Sequence, residues 1–173
     1  MLAIRPAVLG DVPRITTIYA HHVLHGTASF EEIPPTEAEM TTRFEALAPR
    51  GYPYLVAEEA GQVLAYGYAG PYRPRSAYRF TLEDSVYVDE AARGKGLGRL
   101  LLAALIERAE EAGFRQMVAV IGDSANRASI RLHEVQGFRL VGVFRDVGLK
   151  HGQWRDTVLM QRGLGLAGET LPV

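Results

Sequence analysis

Apolar positions along the chain switch between a period of about two and a period of about 3.6, and the switch points mark out its elements. Leu2–Arg5 is a short apolar run stopped by Pro6. Asp11 offers an N-cap, and Ile15, Ile18, Tyr19 and Val23 fall at helical spacing within Val12–Leu24. Thr36-Glu37-Ala38-Glu39 has the form of a capping box and predicts a second helix to about Leu47, which Pro49, Gly51 and Pro53 end. Tyr54–Glu58 and Val63–Ala69 are strand-like runs with Ala60-Gly61 at the turn between them. Gly70–Arg75, rich in proline and arginine, reads as a loop, and Leu82–Val88 as the next strand. Leu97–Ala112 is the longest helical pattern, with Leu97, Leu100, Leu101, Ala104, Leu105, Arg108 and Ala112 as its stripe and Gly113 at its C-terminus. Met117–Ile121 is a buried-strand run and Asn126–Gln136 a shorter helix. Phe138–Val147 and Thr157–Gln161 are two last strands, joined by a loop that contains Gly148, Gly152 and Trp154. The order β-α-α-β-β-β-α-β-α-β-β predicts a mixed α/β plan in one domain.

Length and composition leave that plan intact and narrow the chemistry. A chain of 173 residues is about one domain, and 47% hydrophobic with 23% charged residues is an ordinary globular mixture. The formal net charge of −1 gives no general attraction for nucleic acid, so none is expected as a partner. There is no cysteine, which excludes a thiol nucleophile and a cysteine-ligated zinc. No apolar run approaches a membrane span and the N-terminus lacks the pattern of a signal peptide, so the expected location is the cytoplasm with no membrane partner. His21, His22 and His25 cluster on the first helix, but no acidic third ligand follows at motif spacing, and no metal is expected.

The most informative stretch runs Val86-Tyr87-Val88-Asp89-Glu90-Ala91-Ala92-Arg93-Gly94-Lys95-Gly96-Leu97-Gly98-Arg99. A strand leads into a glycine loop that opens the long helix. Closely spaced glycines let the backbone approach a ligand, and the first amides of a helix have no carbonyl behind them. With Arg93, Lys95 and Arg99 at the same end, the loop suits a pyrophosphate. It lacks the Gly-Lys-Ser/Thr of a P-loop and the Gly-x-Gly-x-x-Gly of a dinucleotide fold. A plain connecting turn is the alternative.

Arg93-Gly94-Lys95-Gly96-Leu97-Gly98, with Asn126, Ser129, Leu132-His133 and Gly137-Phe138 further on, resembles the GCN5-related N-acetyltransferases. Thr81–Val88, Val118–Ile121, Leu132-His133-Glu134, Lys150–Trp154 and Tyr19–Leu24 are similar to the phosphinothricin and methionine sulfone N-acetyltransferase group within it. The resemblance spans residues 2–162. It implies the GNAT fold: a mixed, mostly antiparallel sheet with a splayed, V-shaped CoA site, flanked by helices. It implies one domain over 1–163 with a C-terminal tail at 164–173. It also implies acetyl-CoA as co-substrate, a small amino-acid-like amine as acceptor, and a homodimer.

Carried onto this chain, the resemblance gives each candidate residue a role. Backbone groups of Val86, Tyr87 and Val88 would pair with pantetheine. Amides of Arg93, Gly94, Lys95, Gly96, Leu97, Gly98 and Arg99 would hold the pyrophosphate, with Asn126 and Ser129 also near the cofactor. Glu83 would take a proton from the substrate ammonium; a solvated strand-end carboxylate is the other reading. Asp84 and Ser85 adjoin the substrate, although alternation along a strand sends Glu83 and Asp84 to opposite faces. His133 stands where many relatives have tyrosine and could protonate the leaving thiolate, or it is a packed core histidine. Arg73, Arg75 and Arg79 could anchor a substrate carboxylate or be solvated surface groups. Phe30 is a pocket wall or ordinary core, and Trp154 and Tyr87 read as packing. Without a cysteine, direct attack in a ternary complex is favoured over an acyl-enzyme. The rival functions are acetylation of a protein or polyamine, against which the arginines count, and a non-catalytic acyl-CoA sensor.

Overall fold

The computed structural model describes residues 1–172. Its seven-stranded sheet runs in the order β1-β2-β3-β4-β5-β7-β6, where β1 is Leu2–Pro6, β2 Tyr54–Glu59, β3 Gln62–Pro71, β4 Thr81–Val88, β5 Gln116–Gly122, β6 Arg139–Lys150 and β7 Gln153–Gly163. All neighbours are antiparallel except β4 and β5, which run parallel. Helices α1 (Val12–His25) and α2 (Glu37–Leu47) cover one face, and α3 (Leu97–Glu111) and α4 (Arg127–Val135) the other. The fold expected from the sequence is the one observed.

Local chemistry explains where the elements start and stop. Thr36 and Glu39 form the reciprocal capping box at α2: the Glu39 amide donates to Thr36 Oγ1 at 3.2 Å, and the Thr36 amide to Glu39 Oε2 at 2.6 Å. Ala60 and Gly61 both take positive φ in the tight turn that joins β2 and β3. Asp11 precedes α1 but does not cap it. Its carboxylate instead accepts from the Arg5 guanidinium at 2.8 and 2.9 Å and from the Val8 amide at 2.8 Å, tying β1 to the helix start.

Three further expectations are corrected. The strand ending at Ala69 continues to Pro71, because Gly70 and Pro71 pair with Glu83 and Leu82; the following loop is correspondingly shorter. The loop expected around Gly148, Gly152 and Trp154 is a continuation of β6 and β7 to a turn at His151-Gly152, with Leu149 opposite Trp154 and Lys150 opposite Gln153. β6 is an edge strand exposed along most of its length, so it shows no inside–outside alternation to read. On α3, Leu100 is 46% exposed and Arg108 and Ala112 face solvent, while Leu102, Ile106 and Ala109 join Leu97, Leu101 and Leu105 in the interior. The helix bridges two apolar clusters, one on β2–β3 and one on β5, and so buries a broader face than a single stripe.

Beyond β7 the chain stays on the body of the domain. Leu164 is buried in the core, and the Arg115 guanidinium donates to Thr170 Oγ1 at 3.1 Å. Val173, the end of the expected tail, lies outside the described residues.

Candidate active site

The parallel ladder between β4 and β5 holds only from Thr81–Gln116 to Asp84–Ala119. After Asp84 the strands part. Ser85–Val88 stay bonded to β3 and Val120–Gly122 to β7, so the facing edges of β4 and β5 have no sheet partner. The parting opens a cavity of about 60 Å³, whose walls include Ser85, Val86, Ala119, Leu132 and His133. The loop after α1 closes one side of it through Ala28. That loop is seated tightly: a Cβ on Gly122 would collide with the Thr27 carbonyl oxygen, and one on Gly148 with the Phe30 ring. Lys150, buried at the end of β6, donates from Nζ to the Ser29 carbonyl.

The glycine loop lies at the other end of β4. Gly94 and Gly96 have φ of 78° and 77°, a backbone region that glycine enters without strain. Gly96 precedes α3, and its carbonyl accepts from Arg99 at 3.1 Å and Leu100 at 3.2 Å. The Leu97 and Gly98 amides have no such partner among the described residues, as expected of the first helical positions. A Cβ on Gly98 would stand 3.5 Å from Leu132 and 3.8 and 3.9 Å from Val88 and Val86, on the floor of the parting. Arg93, Lys95 and Arg99 are exposed around the loop, with Arg93 held to Glu90 at 2.9 Å. Leu97 can contribute only its backbone, since its side chain is buried. Tyr87 likewise turns its ring into the tyrosine cluster with Tyr19 and Tyr66, at 5.0 and 5.3 Å between centroids. The Val88 carbonyl already accepts a 2.8 Å hydrogen bond from His22.

Strand alternation separates the two adjacent carboxylates. Glu83 is on the α1–α2 face with Ser85 and Tyr87, and makes no ion pair or hydrogen bond among the described residues. Burial, and secondarily the charge of Asp84, push its pKa above the usual carboxylate value. Asp84 is on the α4 face, buried, with Oδ2 accepting from His133 Nε2 at 2.9 Å. His133 Nδ1 donates to the Ser129 carbonyl at 2.7 Å. Burial opposes charge on His133, but the hydrogen bond to Asp84, its negative charge and the Ser129 carbonyl together raise its pKa. Asn126 caps α4, accepting from the Ser129 amide at 3.2 Å, and both residues line the cavity.

The arginines gather on the stretch before β4. Arg73 lies over the Tyr72 and Tyr78 rings at 5.1 and 6.0 Å, Arg79 over Phe80 at 4.6 Å, and Arg75 is exposed. Phe30 is 37% exposed against β5 and β6. His21 and His25 stack at 4.8 Å between rings, and among the described residues no three His, Cys, Asp or Glu side chains are placed to share a metal. No helix is long and apolar enough to cross a membrane among those residues. The Lys150–Ser29 tie and the partnership of Asp84 with His133 were not read from the sequence, because they join residues far apart in the chain.

The sheet thus parts beside helix-start amides, and next to the parting point Glu83 has no ion-pair or hydrogen-bond partner among the described residues. The chain belongs to the Acetyltransferase (GNAT) family, whose pattern residues 18–138 match. It is 57% identical over 162 residues to phosphinothricin N-acetyltransferase of Alcaligenes faecalis, covering 94% of this chain and 82% of that one. It is 47% identical to the L-methionine sulfoximine/L-methionine sulfone acetyltransferase of Pseudomonas paraeruginosa, covering 94% of each. Among solved structures, a phosphinothricin acetyltransferase from Sinorhizobium meliloti in complex with AcCoA superposes with a TM-score of 0.97 at 50% identity, covering 99% of this chain and 93% of that one.

Proposed function

We propose that this chain transfers an acetyl group from acetyl-CoA to the α-amine of a small amino-acid-like substrate of the phosphinothricin, methionine sulfone or methionine sulfoximine type. The observation that carries this reading is the parting of β4 from β5 after Asp84, between the Gly94–Gly98 amides at one end and Glu83 at the other. Pantetheine would lie along Val86–Val88 as an added strand, with its pyrophosphate on the amides at the start of α3. A backbone amide of β4 would polarise the thioester carbonyl. Glu83, short of cationic partners and raised in pKa, takes a proton from the substrate ammonium. The free amine then attacks directly. With no cysteine in the chain, no thiol acyl-enzyme intervenes.

The substrate class rests on the relatives and on Arg73, Arg75 and Arg79 ahead of Glu83, which suit an acceptor that carries an acid. Acetyl-CoA with a panel of amines, followed by thiol release, tests both halves. Methionine sulfone, methionine sulfoximine and phosphinothricin should exceed spermidine and lysine in kcat/KM. A faster reaction with the polyamine would overturn the substrate class, and binding of acetyl-CoA without turnover would favour a sensor.

The reading extends to a homodimer in the cytoplasm. Its support is the edge strand β6, where Leu140, Val141, Phe144, Val147 and Leu149, with Trp154 of β7, are exposed. Light scattering of the wild type and of Phe144→Glu tests it. A monomeric wild type rules the dimer out.

A further inference from the structure

Of the three histidines on α1, only His22 is buried. Its ring packs against Tyr87 at 5.3 Å and stands perpendicular to His21 at 5.9 Å. Burial, with the charge of Arg93 and then His21, outweighs the pull of the Val88 carbonyl and Glu90 and lowers its pKa, so the ring is neutral at neutral pH. A neutral imidazole has a single N–H, and a carbonyl only accepts. The 2.8 Å contact between Nε2 and the Val88 carbonyl therefore places that N–H on Nε2 and commits it to Val88.

Successive residues of a strand turn their backbone groups to opposite edges. The Thr81 carbonyl accepts from the Tyr72 amide at 3.2 Å, and the Asp89 amide donates to the Leu64 carbonyl at 2.8 Å, both on the β3 side. The residues of that parity, Glu83, Ser85 and Tyr87 included, direct their N–H and C=O groups to β3. Val86 and Val88 direct theirs to the edge left open beyond Asp84. That edge offers four groups in order: the Val86 N–H, the Val86 C=O, the Val88 N–H and the Val88 C=O. His22 occupies the fourth. Just beyond it the Arg14 guanidinium pairs with Asp89, and His21 reaches Glu90 at 3.2 Å. Helix α1 thus grips the chain at the point where β4 turns into the glycine loop.

We propose that His22 is a positioning residue for acetyl-CoA: by holding the Val88 carbonyl it ends the added strand at Val88 and fixes the peptide that leads into the glycine loop. This rests on the acetyl transfer proposed above. Read from its acetyl end, the pantetheine arm presents a thioester C=O, an N–H, a C=O and a second N–H. The first three complement the Val86 N–H, the Val86 C=O and the Val88 N–H in that order. The second N–H meets a carbonyl that His22 already occupies, so the pairing stops there and the arm is free to turn towards the Gly94–Gly98 amides. A slide of the arm by two residues towards the loop would set its first N–H against that same occupied carbonyl. His22 therefore favours the register in which the thioester carbonyl meets the Val86 amide, on the side of Glu83.

The first test uses wild-type protein and needs no variant to fold. In amide hydrogen exchange the Val86 and Val88 amides should be open in the free protein and protected when CoA is added, while Tyr87, bonded to β3, is protected in both. A Val88 amide that CoA does not protect overturns the proposal. The second test measures binding by calorimetry with CoA and with adenosine 3′,5′-bisphosphate, which lacks the pantetheine arm. His22→Phe keeps a ring and loses the donor. It should weaken CoA by about threefold to tenfold, the worth of one hydrogen bond, and raise KM for acetyl-CoA to match. The nucleotide, KM for the amine and kcat at saturation should stay within about twofold. His22→Gln, which keeps a side-chain N–H, should recover most of the CoA affinity, and His25→Phe, on the exposed side, should change nothing. Unchanged CoA binding in His22→Phe, or equal weakening of CoA and the nucleotide, overturns the proposal and leaves acetyl transfer intact. A wild type that binds no CoA overturns both. A wild type that binds CoA and acetylates no amine fails the functional reading, and the binding series still decides the role of His22.

Discussion

Glu83 and Asp84 are neighbours on one strand, and the two faces of that strand give them opposite surroundings. On the α1–α2 face Glu83 is partly buried beside a tyrosine cluster with no cationic partner among the described residues, and burial raises its pKa. On the α4 face Asp84 is more deeply buried, yet it has His133 at 2.9 Å. Both carboxylates are withdrawn from water; a hydrogen-bonded partner on one side only is what separates their surroundings. The first face is suited to taking a proton and the second to holding one. Next to them the sheet parts and leaves the cavity between β4 and β5.

The sharpest way to break this division is on the Glu83 face. Glu83→Gln should lower kcat by roughly 10²–10⁴-fold, the range of a positioned general base. Acetyl-CoA binding should be kept, and residual activity should climb with pH as free amine increases. Profiles of kcat/KM against pH with the same height and shape in both proteins would remove Glu83 from the chemistry.

The next largest effect should come from the other face. Gly98→Val would fill the floor between Leu132, Val86 and Val88, and should raise KM for acetyl-CoA by roughly tenfold or more, a change of about 1.4 kcal/mol, with little change in KM for the amine. Lys95→Ala, which removes one exposed charge, should stay within roughly fivefold. Arg73→Ala should do the reverse of Gly98→Val, raising KM for the amino acid by roughly threefold to tenfold and leaving acetyl-CoA alone, through loss of a charge-assisted contact. A matching rise for both substrates in either variant would mean that the faces are not separate binding regions.

The smallest effect concerns stability. Because the folded-state pKa of Glu83 is raised, its ionisation destabilises the fold as pH climbs from the unfolded value towards the folded one. Glu83→Gln should therefore melt higher than wild type at neutral pH, with the gap closing as pH falls below about 4.5, where the carboxyl is protonated in both states. A lower melting temperature at neutral pH would show that Glu83 has a stabilising partner.

Much of this arrangement was legible in the residues themselves. Thr36 and Glu39 sit three apart, Ala60-Gly61 and the glycines at 94, 96 and 98 mark turns, and Glu83 and Asp84 must alternate, all consequences of geometry over a few residues. These local rules gave the order of elements, the glycine turn before α3 and the opposite faces of the two carboxylates. They failed where partners come from afar. The stripe of α3 depended on which two clusters the helix bridges, and β6 and β7 drew their length from pairing with each other rather than from alternation with a core. His133 could be placed on a helix, but its charge state needed Asp84, 49 residues earlier. The sequence by itself determined which residues could carry the chemistry. Only the tertiary structure decided which carboxylate would be left alone and which would be paired, because protonation depends on burial and on the nearest charge, and both are set by contacts between distant segments.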